Sequence, residues 1–254
     1  MADFSGKVVI VTGAGTGIGA ATVRRFVNDG AGVVLAGRRV DKLNSVMADL
    51  PPRRVFAQPT DVSDRAACIA LIDAALARFG RLDVLVNNAG TATFGGFVDT
   101  AEADWQRVLA TNVAGVIHCT QAAMPHLLET GGNVVNVSSV SGIGGDWGLS
   151  FYNASKGALS NLTRALALEF GGQGVRVNAV NPSLTATDMS AALTGNPDMM
   201  AKFKDRIPMG RAAEPAEVAD VIAFLAGHDA RFVNGVNLPV DGGVSASNGQ
   251  PRLG

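Results

Sequence analysis

Cysteine is scarce in this chain: 254 residues contain two, Cys68 and Cys119. Two cysteines cannot build a disulfide framework and point to a reducing compartment, so a cytoplasmic location is expected. Charge is also thin and balanced, at 17% charged residues and a net charge of −1. That leaves no electrostatic footprint for nucleic acid or for an acidic membrane, and neither is expected as a partner. No apolar run is long and clean enough for a membrane span. The longest weakly charged stretch, Val108 to Leu128, carries Thr111, Asn112, His118, Thr120, Gln121 and Pro125. Hydrocarbon does not tolerate so many polar groups, and the stretch reads as a buried helix. Met1 to Gly6 holds Asp3 and no apolar segment, so no signal peptide is expected. The 31 glycines show no period of three, which excludes collagen. A hydrophobic content of 47% excludes a disordered chain. No metal site is expected.

What is present is an alternation. Short β-branched runs lie at Lys7–Thr12, Gly32–Ala36, Val55–Ala57, Leu82–Val86, Asn133–Val137, Val175–Val180 and Val236–Leu238. Helical patterns fall between them at Gly17–Asn28, Val40–Leu50, a helix capped by Ser63 and running to Phe79, about Ala101–Glu129, Tyr152–Phe170 and Ala216–Ala226. Strands that alternate with helices, without two-residue hairpins, predict a parallel sheet covered on both faces. The expected fold is α/β: one Rossmann-like, doubly wound domain over residues 1–254, its sheet mostly or wholly parallel, ending in a polar tail at 245–254. In such a sheet ligands bind beyond the carboxyl ends of the strands, where strand order reverses.

After the first strand comes Thr12-Gly13-Ala14-Gly15-Thr16-Gly17-Ile18-Gly19, leading directly into a helix. Glycines let the backbone approach a pyrophosphate, and the helix start offers free N–H groups and a positive dipole end. The Gly-Lys-Ser/Thr of a nucleoside triphosphate loop is absent, so a dinucleotide is the better ligand. At the end of the second strand stands Ala36-Gly37-Arg38-Arg39. An acid there would hold a ribose 2′-hydroxyl; Gly37 takes its place and two guanidiniums follow. Guanidiniums match phosphate oxygens, which favours NADP(H) over NAD(H). Arg39 reads equally as a solvated helix start. Asp61, in Thr60-Asp61-Val62, reads as an adenine contact or as a helix N-cap.

Tyr152, the one tyrosine of the chain, precedes Lys156 by four positions, so a helix puts both on one face. A phenol with a pKa near 10 is a poor base at neutrality. A neighbouring ammonium is expected to lower that value toward working pH. Ser139, at the end of the fifth strand, supplies a hydroxyl for a substrate oxygen.

With these motifs in order, the chain resembles a short-chain dehydrogenase/reductase of the single-domain type, from about Gly6 to Gly243. The resemblance is carried by Thr12–Gly19, Asn87-Asn88-Ala89-Gly90, Asn112, Ser139, Tyr152 with Lys156, Asn181-Pro182 through Thr187, and Val240-Asp241-Gly242-Gly243. It implies that Tyr152 is the acid/base, that Ser139 polarises the substrate oxygen, and that Lys156 lowers the tyrosine pKa and holds the nicotinamide ribose. Asn112 would anchor a water of a proton relay. The cofactor groove would comprise Gly13, Gly15, Thr16, Gly17, Ile18 and Gly19; Gly37, Arg38 and Arg39; Asp61 and Val62; Asn88, Ala89 and Gly90; Tyr152 and Lys156; and Pro182, Thr185 and Thr187. On the residues alone, Asn88 and Asn112 could each instead satisfy backbone groups. Ser183 replaces the glycine usual in the family after the sixth strand and would be poor at a positive φ.

The same resemblance places Phe94, Ser141, Ile143, Gly145, Trp147, Leu184, Met189 and Leu193 toward the substrate, beside Ser139 and Tyr152. This largely apolar wall suits a neutral ketone or secondary alcohol, although each residue could simply pack. A carrier-protein substrate would want basic residues, and Glu129-Thr130 and Gly171-Gly172-Gln173 are not basic. Met189–Lys204 resembles a segment that closes over substrate in relatives, interrupted at Thr194-Gly195-Asn196-Pro197. A homodimer or homotetramer is expected. Two other readings stand beside the NADP(H)-dependent one: an NAD-dependent or carrier-protein-directed enzyme, and a non-catalytic sensor of cofactor redox state.

Overall fold

A computed structural model describes residues 3–250. Seven strands form one sheet in the order β3-β2-β1-β4-β5-β6-β7: β1 Val8–Thr12, β2 Gly32–Gly37, β3 Val55–Pro59, β4 Val84–Asn87, β5 Asn133–Val137, β6 Arg176–Pro182 and β7 Asn237–Val240. Every pairing is parallel, with Ile10 opposite both Val34 and Leu85 at the centre. The fold is therefore the doubly wound α/β sheet that the alternation predicts. All five residues of β1 are buried, as a strand covered on both faces requires.

Strand alternation feeds two cores. Val9, Val11, Val33 and Leu35 face α1 (Gly17–Asn28), α2 (Val40–Met47) and α9 (Pro215–Ala226), packing on Phe26, Leu43 and Ile222. Ile10, Val34, Leu85 and Val177 face α3 (Arg65–Phe79), α5 (Gly115–Thr130) and α6 (Ser150–Gly171), packing on Leu71, Ile72 and Leu127. Each such fully buried side chain contributes roughly 2 kcal/mol. A buried polar ladder crosses the second face. Asn87 Nδ2 donates to Thr120 Oγ1 (3.0 Å) and to Asn136 Oδ1 (2.9 Å), and Asn136 Nδ2 donates to Thr163 Oγ1 (2.9 Å). It fixes α5 and α6 over β4 and β5.

Several boundaries differ from expectation. Asp64, not Ser63, caps α3: its carboxylate accepts from Ala66 N (2.8 Å). Ser63 turns back instead to Asp61 Oδ1. The long helix expected from Ala101 to Glu129 is interrupted. Helix α4 (Glu102–Leu109) passes through a π turn at Ala110–Ala114 before α5 begins. Nor is it buried throughout, since Gln121 and Pro125 are exposed. Segment 189–204 is helical on both sides of its break, as α7 (Ala191–Thr194) and α8 (Pro197–Arg206), where Asn196 caps α8 and Pro197 opens it. Within the expected C-terminal tail, residues 251–254 lie outside the described ones, as do Met1 and Ala2.

Candidate active site

Strand order reverses between β1 and β4, and the glycine-rich turn leaves β1 there. Thr12 Oγ1 accepts from the backbone N–H groups of Asn88 and Ala89 (both 3.0 Å). Asn88 Nδ2 donates to the carbonyls of Thr12 (2.9 Å) and Gly13 (3.1 Å). Asn88 thus ties the end of β4 to the turn, the backbone-satisfying role of its two readings. Gly13 has φ 64°, and a Cβ there would lie 2.9 Å from Ala89 Cα. A Cβ on Gly19 would lie 2.2 Å from Gly13 O. These two glycines let the turn fold tightly against β4. Helix α1 then starts with no side-chain cap from Thr16 and no acid in its first turn, leaving N–H groups for an anion. Thr187 stands against that start: a Cβ on Gly17 would meet Thr187 Cγ2 at 2.9 Å. The cradle fits a pyrophosphate.

The other groove residues divide. Gly37 closes β2, and a Cβ there would make only an ordinary 3.4 Å contact with Leu43. Arg38 follows, with a side chain 74% exposed and a guanidinium 3.9 Å from Asp61 Oδ2. Asp61 caps no helix. Hydrogen bonding from the Ser63 hydroxyl holds its carboxyl below the usual range, aided by Ser63 N–H and the Arg38 charge and opposed by burial. Arg39 is exposed at the start of α2. Val62 is buried; its carbonyl accepts from Cys68 Sγ (3.3 Å) and lies 3.3 Å from His118 Nδ1. Ile18 packs on the first core, and a Cβ on Gly15 would meet Lys42 Cβ at 2.9 Å. Thr185 is buried and spends its hydroxyl on Ser183 O (3.1 Å), so it turns away from the groove. The concern over Ser183 dissolves. No non-glycine residue among those described has a positive φ, and Ser183 Oγ donates to Asp241 O (3.1 Å). Pro182, buried at the end of β6, lies beside Ser139, its carbonyl 3.5 Å from Ser139 Oγ.

Tyr152 and Lys156 share one face of α6, with Lys156 Nζ 5.7 Å from the centre of the Tyr152 ring. Lys156 is only 4% exposed, and burial lowers its pKa to about 8. Its ammonium donates to Val137 O (2.8 Å), the last carbonyl of β5. Ser138 Oγ donates to Lys156 O (3.1 Å) and so pins α6 to the same strand end. Ser139 follows; its Oγ accepts from Ser141 N (3.1 Å) and donates to Ser141 Oγ (3.1 Å). The structure corrects the expected direction of the tyrosine pKa. Burial pushes it up, a hydrogen bond with Ser139 opposes that, and the charge of Asp146 adds to the rise. The ammonium lies over the ring face and bonds to a carbonyl, so burial of the phenol prevails.

Asn112 is fully buried in the π turn, a kind of helix irregularity common at functional sites. Its Oδ1 accepts from Thr91 N (2.8 Å), and its Nδ2 donates to Thr91 O (2.8 Å) and Ser155 Oγ (3.0 Å). Ser155 Oγ in turn donates to Tyr152 O (2.7 Å). Gly90 fills the gap between: a Cβ there would lie 3.5 Å from Asn112 Oδ1 and 3.6 Å from Lys156 Nζ. Asn112, Gly90, Tyr152 and Lys156 are thus one assembly.

The apolar substrate wall is only partly realised. Ser141 is buried beside Ser139, and Leu184 and Leu193 are partly covered. Phe94, Ile143, Gly145 and Met189 are exposed, and Trp147 is 97% exposed, so it walls nothing in this conformation. Aromatic packing falls elsewhere: Phe97 and Trp105 stack on Phe151 (centroids 5.2 and 5.8 Å), next to Tyr152 in the chain. Sequence reasoning missed Ser138, Ser155 and Asp146. The available signal for Asp146 was that no other carboxyl lies between Ser139 and Tyr152.

Residues 13–245 match the sequence profile of a family described as enoyl-(acyl carrier protein) reductase. The chain is 50% identical over 251 residues to a meso-2,3-butanediol dehydrogenase of Serratia marcescens, covering 98% of this chain and 99% of that one. It is 38% identical over 244 residues to a 3-oxoacyl-(acyl-carrier-protein) reductase of Thermotoga maritima, covering 95% and 98%. Its fold superposes with a TM-score of 0.89 on the crystal structure of a 3-ketoacyl-(acyl-carrier-protein) reductase from Brucella melitensis complexed with NADH, at 34% identity and covering 96% and 100%.

Proposed function

This chain belongs to the short-chain dehydrogenase/reductase family and is an oxidoreductase of alcohols and ketones; from that premise we propose an NADP(H)-dependent enzyme acting on small neutral ketones and secondary alcohols. The observation that carries the reading is the convergence of Ser139, Tyr152 and Lys156 at the carboxyl ends of β5 and β6, beside the glycine turn. A bound nicotinamide supplies or takes the hydride. Tyr152 moves the proton to or from the substrate oxygen, which Ser139 Oγ positions. With its phenol pushed up, Tyr152 keeps its proton at neutrality and is set to donate it, which favours reduction there and oxidation at higher pH. Lys156 has two further N–H donors beyond the one on Val137 O, enough for a pair of ribose hydroxyls. Asn112, with Thr91 and Ser155, holds the helix turn behind them.

The cofactor preference rests on Arg38, whose exposed guanidinium stands beyond β2 where an acid would exclude a phosphate. The Serratia relative is named for a vicinal diol, which is a neutral secondary alcohol. Free Cys68 and Cys119, with sulfurs 3.4 Å apart and unbonded, support a reducing, cytoplasmic setting. No helix among the described residues is long and apolar enough to cross a membrane. Leu168 on α6 and Phe232 beyond α9 are nearly fully exposed, which supports a homodimer or homotetramer. The test is a panel of neutral ketones and secondary alcohols assayed with both cofactors. Wild type prefers NADP(H), and Arg38→Leu reduces that preference at least about tenfold. A wild-type preference for NAD(H) would overturn the Arg38 assignment.

A further inference from the structure

The loop between the 3₁₀ turn Val140–Gly142 and α6 carries one charge, Asp146. Its carboxylate accepts a hydrogen bond from Ser141 Oγ, which itself accepts from Ser139 Oγ at 3.1 Å. The three side chains therefore form a continuous line from the edge of the cleft to the hydroxyl that faces the reacting oxygen. The line is anchored, because Asn153 Nδ2 donates to Asp146 O (3.0 Å) and fixes the loop on the first turn of α6. The carboxylate is close enough for its charge to act on the Tyr152 phenol. Among the described residues, no cation lies within ion-pair distance of it. A carboxylate accepts hydrogen bonds and donates none, so one that is exposed, unpaired and adjacent to the reaction centre sorts ligands by charge.

Resting on the function proposed above, we infer that Asp146 is a specificity-determining residue: its carboxylate selects substrates with a hydroxyl donor on the carbon next to the reacting one, and rejects those with an anion there. A hydroxyl at that place gains a charge-assisted hydrogen bond. A carboxylate at the same place meets like charge beside an already buried phenol.

The test compares kcat/KM of wild type, Asp146→Asn and Asp146→Ala for three substrates of equal carbon count. These are a vicinal diol, the secondary mono-alcohol and the 2-hydroxy acid. Ratios between substrates are read within each protein, so differences in folded fraction cancel. In wild type the diol leads and the hydroxy acid trails. Asp146→Ala lowers the diol-to-mono-alcohol ratio about tenfold, chiefly through KM for the diol. Asp146→Asn keeps the shape and one acceptor oxygen, so it retains more of that ratio, while raising the hydroxy acid relative to the mono-alcohol about tenfold. Ratios that stay put in both variants overturn the inference and leave the oxidoreductase reading intact. A wild type that turns over none of the three, nor their ketones, with either cofactor overturns both.

Discussion

The two rims of the sheet treat buried charge in opposite ways. At the amino-terminal rim, Asp83 precedes β4 with a side chain only 4% exposed. Its carboxylate accepts from Lys7 Nζ (3.1 Å), Arg81 Nε (2.8 Å), Arg81 Nη2 (2.7 Å) and Val8 N (2.9 Å). Burial alone would raise its pKa; these partners outweigh burial and hold the carboxyl below its usual range. At the carboxyl rim, Lys156 is as deeply buried and has one carbonyl for a partner, while Asp146 has no cation at all. Saturated charge is what a chain uses to lock two strand starts together. Charge left with spare valence is what it uses to meet a ligand, and it carries a stability cost.

Three substitutions would break or sharpen that contrast. The largest effect is expected from Tyr152→Phe, which removes the proton carrier and little else. Steady-state kinetics should show kcat/KM falling about 10³-fold, with cofactor affinity retained in a fluorescence titration. Retained turnover would remove the carboxyl rim from the chemistry. Next is Asp83→Asn, which should destabilise the fold by about 2–4 kcal/mol in urea unfolding and spare the catalytic constants of the folded fraction. Its pH signature follows from the lowered pKa. The contribution of Asp83 is complete above the carboxyl's unfolded value and is lost as pH falls through the lower folded one, so the variant and wild type converge in acid. The smallest effect, of opposite sign, is expected from Lys156→Met. Burial takes the ammonium from 10.5 to about 8. Below the lower value wild type carries the whole cost of a buried cation, about 3 kcal/mol, and sheds it as pH rises toward the unfolded value. Leaving Val137 O unpaired costs about 1 kcal/mol in return. The variant should thus be about 2 kcal/mol more stable than wild type at neutrality, inactive, and progressively less favoured in melts at alkaline pH. A variant less stable at neutral pH would show that the lysine is paired better than its one carbonyl implies.

Much of this organisation could be read before any coordinates. The glycine spacing from Gly13 to Gly19, the order of strands and the Tyr152/Lys156 pair are local patterns, and each depends on neighbours within about one helical turn. What escaped was decided by tertiary contacts. Ser63 and Asp64 are both good caps, and Asp61 draws Ser63 away. The π turn has no distinct local composition; it forms where Asn112 reaches Thr91. Trp147 was expected to wall the cleft because of its position in the loop, but nothing in the fold covers it. The direction of the tyrosine shift could not be had from Lys156 alone, because it depends on how much of the phenol is desolvated and on Asp146 beyond it.

The wide turn at Ala110–Ala114 means that this segment holds one more amino acid than a regular helix spanning the same height. Counting therefore matters there as much as chemistry. A single-residue deletion in that stretch would regularise the spiral, rotate whatever follows by about a hundred degrees and swing Asn112 off its anchor, though every named functional group survived. Length, in this part of the chain, is inherited together with identity.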